Sequence, residues 1–453
     1  MNGKRLLVSL VLVAWPRAAY AAGAVDVVAQ EAAQALGQTP ASSEVVAAPL
    51  VADQAAPRGE ELALRIAALV AGKLGANAHA HAQVTQLATA RALAGRASAL
   101  VYVQSEIAKG DLRTTIDVYP SMANAWDRIR NPLPAPTSHA FASSKIDAEV
   151  RAFLSPLVLE QAIVHRARHD EGDVLAAACG DVDGDGGDEL VLVSRSRIAL
   201  GRVRSGKFVP ERTAAWSSLA QRAPVPMREA LAGAAVAVGA VDVGSTDRGA
   251  VKLTADFVSH APLSGFPVGG VDGVVCLAAE PSAGAFDGAP FDCMLTRDPR
   301  PKMAVPAPRF DAFAAMGVVG AQGNAQTVVA VREPSGKLKL KVGDALNTPD
   351  GVFGAQLALG DLDQDGVPDV ATSVEGSDDA VNVFSWPAGG DLRGRLHLAA
   401  PAGVRALAVC PPEEHGEPVL VAVVGGEVWL VRAGMRGVAG TQGEAPATNK
   451  AGR

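Results

Sequence analysis

Two hydrophobic rhythms run along the chain, and one replaces the other near Pro156. Ahead of that point "SEVVAAPLV" (43–51) reads as a strand. In "GEELALRIAALVAGKLG" (59–75), Leu62, Ile66, Leu69 and Val70 recur at helical spacing, and Gly75 ends the run. "AQVTQLATARALAGR" (82–96) predicts a second amphipathic helix. "SALVYVQSEIA", Lys109-Gly110-Asp111 and "LRTTIDVYP" then predict a hairpin, with Val101, Val103, Ile116 and Val118 on its buried face. Strand, helix, helix and hairpin make a small α/β domain over 43–120, behind a flexible segment 22–42 that is weakly helical to about Gln38 and ahead of a Pro-rich connector 121–155.

Past Pro156 the helical period disappears, and short apolar runs alternate with turns. Inner-strand candidates are "VLAAACG" (174–180), "AAVAVGA" (234–240), "GVVCLAA" (273–279), "AAMGVVG" (314–320), "AQLALGD" (355–361) and "RALAVCP" (405–411). Each opens a unit of three or four strands, the pattern of a β-propeller of about six blades over 156–436. The last unit is one strand short. "SPLVLEQAIVHRA" (155–167) is an unpaired strand that, donated to that unit, closes the ring and removes its edges. The fold class is thus mainly β, a propeller behind a small α/β domain, with a disordered tail at 437–453.

Composition agrees: 47 Gly and 29 Pro in 453 residues suit many turns, and a net charge of −7 argues against a nucleic-acid surface. The basic start Met1–Arg5, the apolar "LLVSLVLVAW" and the small residues up to Ala21 have the layout of a secretory signal at 1–21. No later apolar stretch is long enough to span a bilayer. The expectation is an exported monomer, periplasmic or extracellular. Export makes disulfides possible. Cys276 and Cys293 flank a Gly/Pro-rich turn and are the candidate bridge; Cys179 and Cys410 are either a second pair or small buried thiols.

The densest chemistry lies in "GDVDGDGGDEL" (180–190) and "GDLDQDGVPDV" (360–370), both of the form D-x-D-x-D-G-x-x-[DE]. Asp181, Asp183, Asp185 and Glu189 alternate in the first, and Asp361, Asp363, Asp365 and Asp369 in the second. Acidic side chains on alternate residues of a tight loop can all turn inward, and Gly186 or Gly366 permits the bend. A backbone carbonyl at Gly187 or Val367 adds one more oxygen. Such an oxygen cage suits Ca²⁺; it has too many protein ligands for Mg²⁺ and no His or Cys for Zn²⁺. An EF-hand is excluded, because Leu192 and Thr372 stand where its bidentate Glu belongs and the flanks read as strands.

"AAACGDVDGDGGDELVLVS" (176–194) and "LALGDLDQDGVPDVATS" (357–373) resemble FG-GAP/VCBS-type repeats, the calcium-loop blades also found in integrin α-subunits. That resemblance implies a loop joining the first two strands of a blade and pinned by Ca²⁺ in two of the blades. The order of elements, a small α/β domain before a propeller, is similar to the TolB family of periplasmic Tol–Pal components, whose blades lack such loops.

Other candidates are weaker. His165 and His169 beside three acidic residues read as an exposed turn or, less simply, a metal site. Trp126, Trp216, Trp386 and Trp429 are core residues or a sugar platform. No nucleophile elbow, phosphate loop or zinc-protease motif is present. The sequence therefore points to a non-catalytic binding scaffold with two structural Ca²⁺ ions and a protein or glycan partner. The rival readings are an envelope-complex component and a secreted hydrolase or carbohydrate-binding propeller.

Overall fold

The computed structural model describes residues 23–435 apart from 38–41, 95–98, 109, 121–128, 130–133, 220–229, 272–273, 283, 291–306, 320–324, 375, 388–389 and 412–416. The proposed signal, the tail and Trp126 lie outside the described residues. No helix among the described residues is long and apolar enough to cross a membrane.

The N-terminal domain is a mixed sheet with helices on both faces. Ser43–Ala47 runs parallel between Ala78–Ala80 and Ala99–Ala108, and the latter continues antiparallel into Asp111–Pro120 and Ser138–Lys145. Val101 faces Val118 and Val103 faces Ile116, all buried as the alternation predicts. The helix Gly59–Leu74 covers that face with Leu62, Ile66 and Val70.

Three expectations about this domain are corrected. The segment expected to be flexible contains a helix, Ala24–Leu36, whose Val25, Val28, Ala29 and Ala32 are fully buried in the same core. Its apolar stripe is as marked as that of Gly59–Leu74, and the Asp147 carboxylate accepts from its Ala24 N–H at 2.7 Å. The connector likewise supplies the strand Ser138–Lys145 and the short helix Ala148–Arg151, so the domain runs on past 120. Only Ala140 and Ala142 face the core there, too little for a visible alternation. The second predicted helix shrinks to Leu87–Leu93, because Thr85 is taken by the sheet: its N–H bonds the Ala47 carbonyl at 3.0 Å and its own carbonyl accepts from Tyr102 at 3.0 Å.

Behind this domain the strands form a propeller. The innermost strands Val174–Gly180, Ala232–Ala237, Phe266–Val271, Ala312–Val319, Phe353–Gly360 and Val404–Cys410 lie side by side in that order, and the last returns to the first. From most of them the chain steps outward through antiparallel neighbours to a fourth strand. In the third unit the expected inner run 273–279 is instead the second strand, Val274–Ala278. The true inner strand is broken by Pro267, Gly269 and Gly270, which hide its apolar character. Phe266, Phe286, Phe310 and Phe313 fill that unit's core, with successive ring centroids 5.2, 5.4 and 5.9 Å apart.

The ring is closed twice at one seam. Leu157–Arg168 pairs antiparallel with Glu427–Met435, Trp429 opposite Arg166 and Val431 opposite Val164, and so supplies the missing outer strand. At Gly434 the backbone of Gln161 comes so close that no side chain fits. On the inner side a disulfide joins Cys179 to Cys410, tying the innermost strands of the first and last units across 231 residues. Cys276 is also disulfide-bonded, while Cys293 falls outside the described residues.

Since a disulfide restrains the unfolded chain more as its loop lengthens, replacing Cys179 and Cys410 together by Ser is expected to cost about 2–4 kcal/mol. A lowered denaturant midpoint with unchanged far-UV circular dichroism is the expected outcome. An unchanged midpoint would show that strand pairing alone holds the seam.

Candidate metal-binding loops

Each acidic loop is the bend of a hairpin between an innermost strand and the next: Val174–Gly180 with Glu189–Ser194, and Phe353–Gly360 with Asp369–Val374. The strand pairing brings Gly180 opposite Glu189 and Gly360 opposite Asp369, so the ninth acid of each motif folds back beneath the first. Leu192 and Thr372 sit on strands, in keeping with the exclusion of an EF-hand.

The backbones of the two loops are organised alike. Asp181 accepts from the N–H groups of Gly184 (2.7 Å) and Gly186 (3.1 Å), and Asp361 from those of Asp365 and Gly366, both at 3.0 Å. Asp185 and Asp365 accept from Gly187 (2.8 Å) and Val367 (2.7 Å). Glu189 and Asp369 reach back to the N–H of Val182 (2.8 Å) and Leu362 (2.9 Å). Gly186 and Gly366 take φ of 86° and 82°, the left-handed bend expected of them.

The carboxylates assemble three at a time. In the first loop one oxygen each from Asp181, Asp183 and Glu189 lie within 4.8 Å of one another; in the second the trio is Asp361, Asp363 and Asp365. The fourth acid is engaged elsewhere. Asp185 takes the Arg202 guanidinium at 2.8 Å, and Asp369 accepts the Ser385 hydroxyl. Of Gly187 and Val367, the hydrogen bonds found are those of their N–H groups.

The loops differ in countercharge. Arg202, on the strand Arg197–Arg204, meets Asp185 and the fully buried Glu189 and lies 3.8 Å from Asp183. Its hydrogen bond holds the Asp185 carboxyl below the usual range, whereas burial pushes Glu189 up. In the second loop Arg395 meets Asp363 at 2.9 Å but is shared with Glu160 at 2.6 Å. That loop is also the deeper: Asp363 is 3% exposed and Asp369 0%. Burial, reinforced by the neighbouring acids, pushes Asp361 up to about 7 and Asp369 up to about 8, and raises Asp363 as well. Oδ1 of Asp363 is buried without a hydrogen-bond partner. A hard cation is the group that this donor set fits, since it offers the orphaned oxygen a ligand bond and relieves the repulsion.

Arg202 and Arg395 were not legible as site residues. They lie 13 residues beyond Glu189 and 32 beyond Asp363, on other strands, and only strand register brings them back.

The remaining candidates resolve differently. His169 is fixed by two hydrogen bonds, accepting the Glu171 N–H on Nδ1 at 3.3 Å and reaching the Gly425 carbonyl through Nε2 at 3.1 Å, so the ring serves the seam. Trp216 and Trp386 are buried and donate to the carbonyls of Ser194 and Gly390, and Trp429 is stacked under Arg166. None of these three offers a sugar platform.

No protein family and no curated protein matches the chain. Among solved structures it is similar to TolB from Acinetobacter baumannii, at 11% identity and a TM-score of 0.30, covering 88% of this chain and 96% of that one. It is also similar to the β-propeller domain of Cps50 (Swd1) from Myceliophteria thermophila, at 10% identity and a TM-score of 0.32, covering 59% and 99%. The SapL1 lectin in complex with alpha methyl fucoside gives 11% identity and 0.35, covering 61% and 98%. Likenesses at this level carry no functional argument. The propeller assignment rests on the strand topology, and the FG-GAP/VCBS resemblance on the two loops alone.

A carboxyl titrating near 7 or 8 when folded but about 3.9 when unfolded binds its proton more tightly in the folded state. Stability then falls as pH rises between those values. The chelator-treated chain is therefore expected to melt at a higher temperature at pH 5 than at pH 8 in scanning calorimetry at fixed ionic strength. A melting temperature that rises across that window would contradict the assignment.

Proposed function

We propose that this chain is an exported binding scaffold, a propeller whose two acidic loops are stiffened by structural Ca²⁺. Export rests on the layout of the first 21 residues. The observation that carries the calcium reading is the second loop, where buried carboxylates crowd together and Oδ1 of Asp363 has no partner. Asp361, Asp363 and Asp365 would hold one ion, and Asp181, Asp183 and Glu189 the other, with Asp185 and Asp369 the further acids of each motif. When bound, the ion supplies positive charge that cancels the repulsion, and so pins each hairpin bend. The residues themselves do the positioning: backbone N–H groups orient Asp181 and Asp361, and Arg202 and Arg395 neutralise part of the charge. Recognition of a protein or glycan partner is assigned to a propeller face or the domain junction.

At pH 8, calcium at about a hundred times its Kd is expected to raise the melting temperature by roughly 5 °C. Asp363→Asn should remove much of that gain. An identical calcium response in the variant would refute the second site. Retention of a binding partner in calcium but not in chelator tests the scaffold role.

A further inference from the structure

The two loops differ in one respect that the calcium reading does not explain. Position four of the motif takes a left-handed backbone in both. In the first loop it is Gly184, φ 79°, and exposed. In the second it is Gln364, φ 54°, and only 7% exposed. A side chain in that conformation is strained where glycine is not, and such strain persists only when the surroundings enforce it. One contact that holds Gln364 comes from the other domain: its Oε1 accepts a hydrogen bond from Nη2 of Arg151. Arg151 ends the short helix Ala148–Arg151 and is itself 4% exposed. Its Nη1 donates to Gln54 of the α/β domain at 2.9 Å, so one guanidinium bridges the two domains. Burial lowers the pKa of its guanidinium, and the carboxylates of Glu417, Asp361 and Asp53 offset part of that. Over the first six positions the two loops differ in exposure at three and four alone, where Asp363 and Gln364 are buried and Asp183 and Gly184 exposed; positions five and six are exposed in both.

We propose that the α/β domain is latched onto one flank of the second acidic loop, with the buried Arg151–Gln364 hydrogen bond as the latch. The latch clamps the Asp363–Gln364 flank of the second loop, while Asp365 and Gly366 on its other flank stay open to solvent. The latch stands on the domain contact, and its consequence for ion binding rests on the calcium reading above.

The test uses the full chain carrying Gln364→Gly or Arg151→Met. Glycine suits the left-handed position, so the first variant keeps the loop's backbone conformation while removing the side chain that Arg151 holds. Hydrogen exchange over 361–366 is expected to rise roughly tenfold in both variants, the loss expected for one buried charge-assisted hydrogen bond. The radius of gyration from small-angle scattering should increase, with little change in the melting temperature of Gln364→Gly. Exchange in Gln364→Gly equal to that of the parent overturns the proposal, even if Arg151→Met fails to fold. With Tb³⁺ as a luminescent probe, Gln364→Gly should bind more weakly than the parent at one of two sites; equal affinities count against the latch's effect on the ion. Absence of any Tb³⁺ binding sinks the calcium reading alone, and the exchange data still decide the latch.

Discussion

Everything distinctive about this chain follows from like-charge repulsion confined to two hairpin bends. Five carboxylates within nine residues in the first loop, and four in the second, are tolerable only when positive charge or protons come among them. The fold meets that demand from several directions. Arg202 is brought from the third strand of its own unit, Arg395 from the fourth strand of its own, and Arg151 from the neighbouring domain. In the first loop an arginine reaches two of the acids as well as lying near a third. In the second, Arg395 is divided between Asp363 and Glu160, and the carboxyls that remain are driven to hold protons near neutral pH. That residual imbalance is the physical basis for assigning the second loop a divalent ion.

The ring makes such loops possible. Between an innermost strand and its neighbour the backbone must reverse within a few residues, and ladder pairing on either side fixes where the first and ninth acids fall. Closure of the ring at a single seam, by strand pairing outside and Cys179–Cys410 inside, keeps the end units from peeling apart. The same seam employs His169, Glu171 and Arg197, a charged cluster that serves architecture.

Much of this was legible in the residues. Five of the six innermost strands and the donated strand 155–167 could be placed from apolar runs, because strands buried on both faces read as continuous hydrophobic stretches. The sixth escaped because Pro267 and two glycines dilute it. The strand Ser138–Lys145 escaped for a related reason: its two core-facing residues are alanines, which bury well yet carry little hydrophobic signal. At the loops the acids were plain from spacing, but their partners were not. Arg202, Arg395 and Arg151 act through strand register and domain docking, which no local pattern encodes. The pairing of Cys179 with Cys410 likewise depends on the ring meeting its own beginning.

The central claim is that these bends hold divalent ions, and metal content tests it most directly. The account predicts two calcium ions per chain in the purified protein dialysed against trace calcium at neutral pH, measured by inductively coupled plasma mass spectrometry, and one when Asp361 and Asp363 are both replaced by Asn. Protein that retains no calcium under those conditions would contradict it.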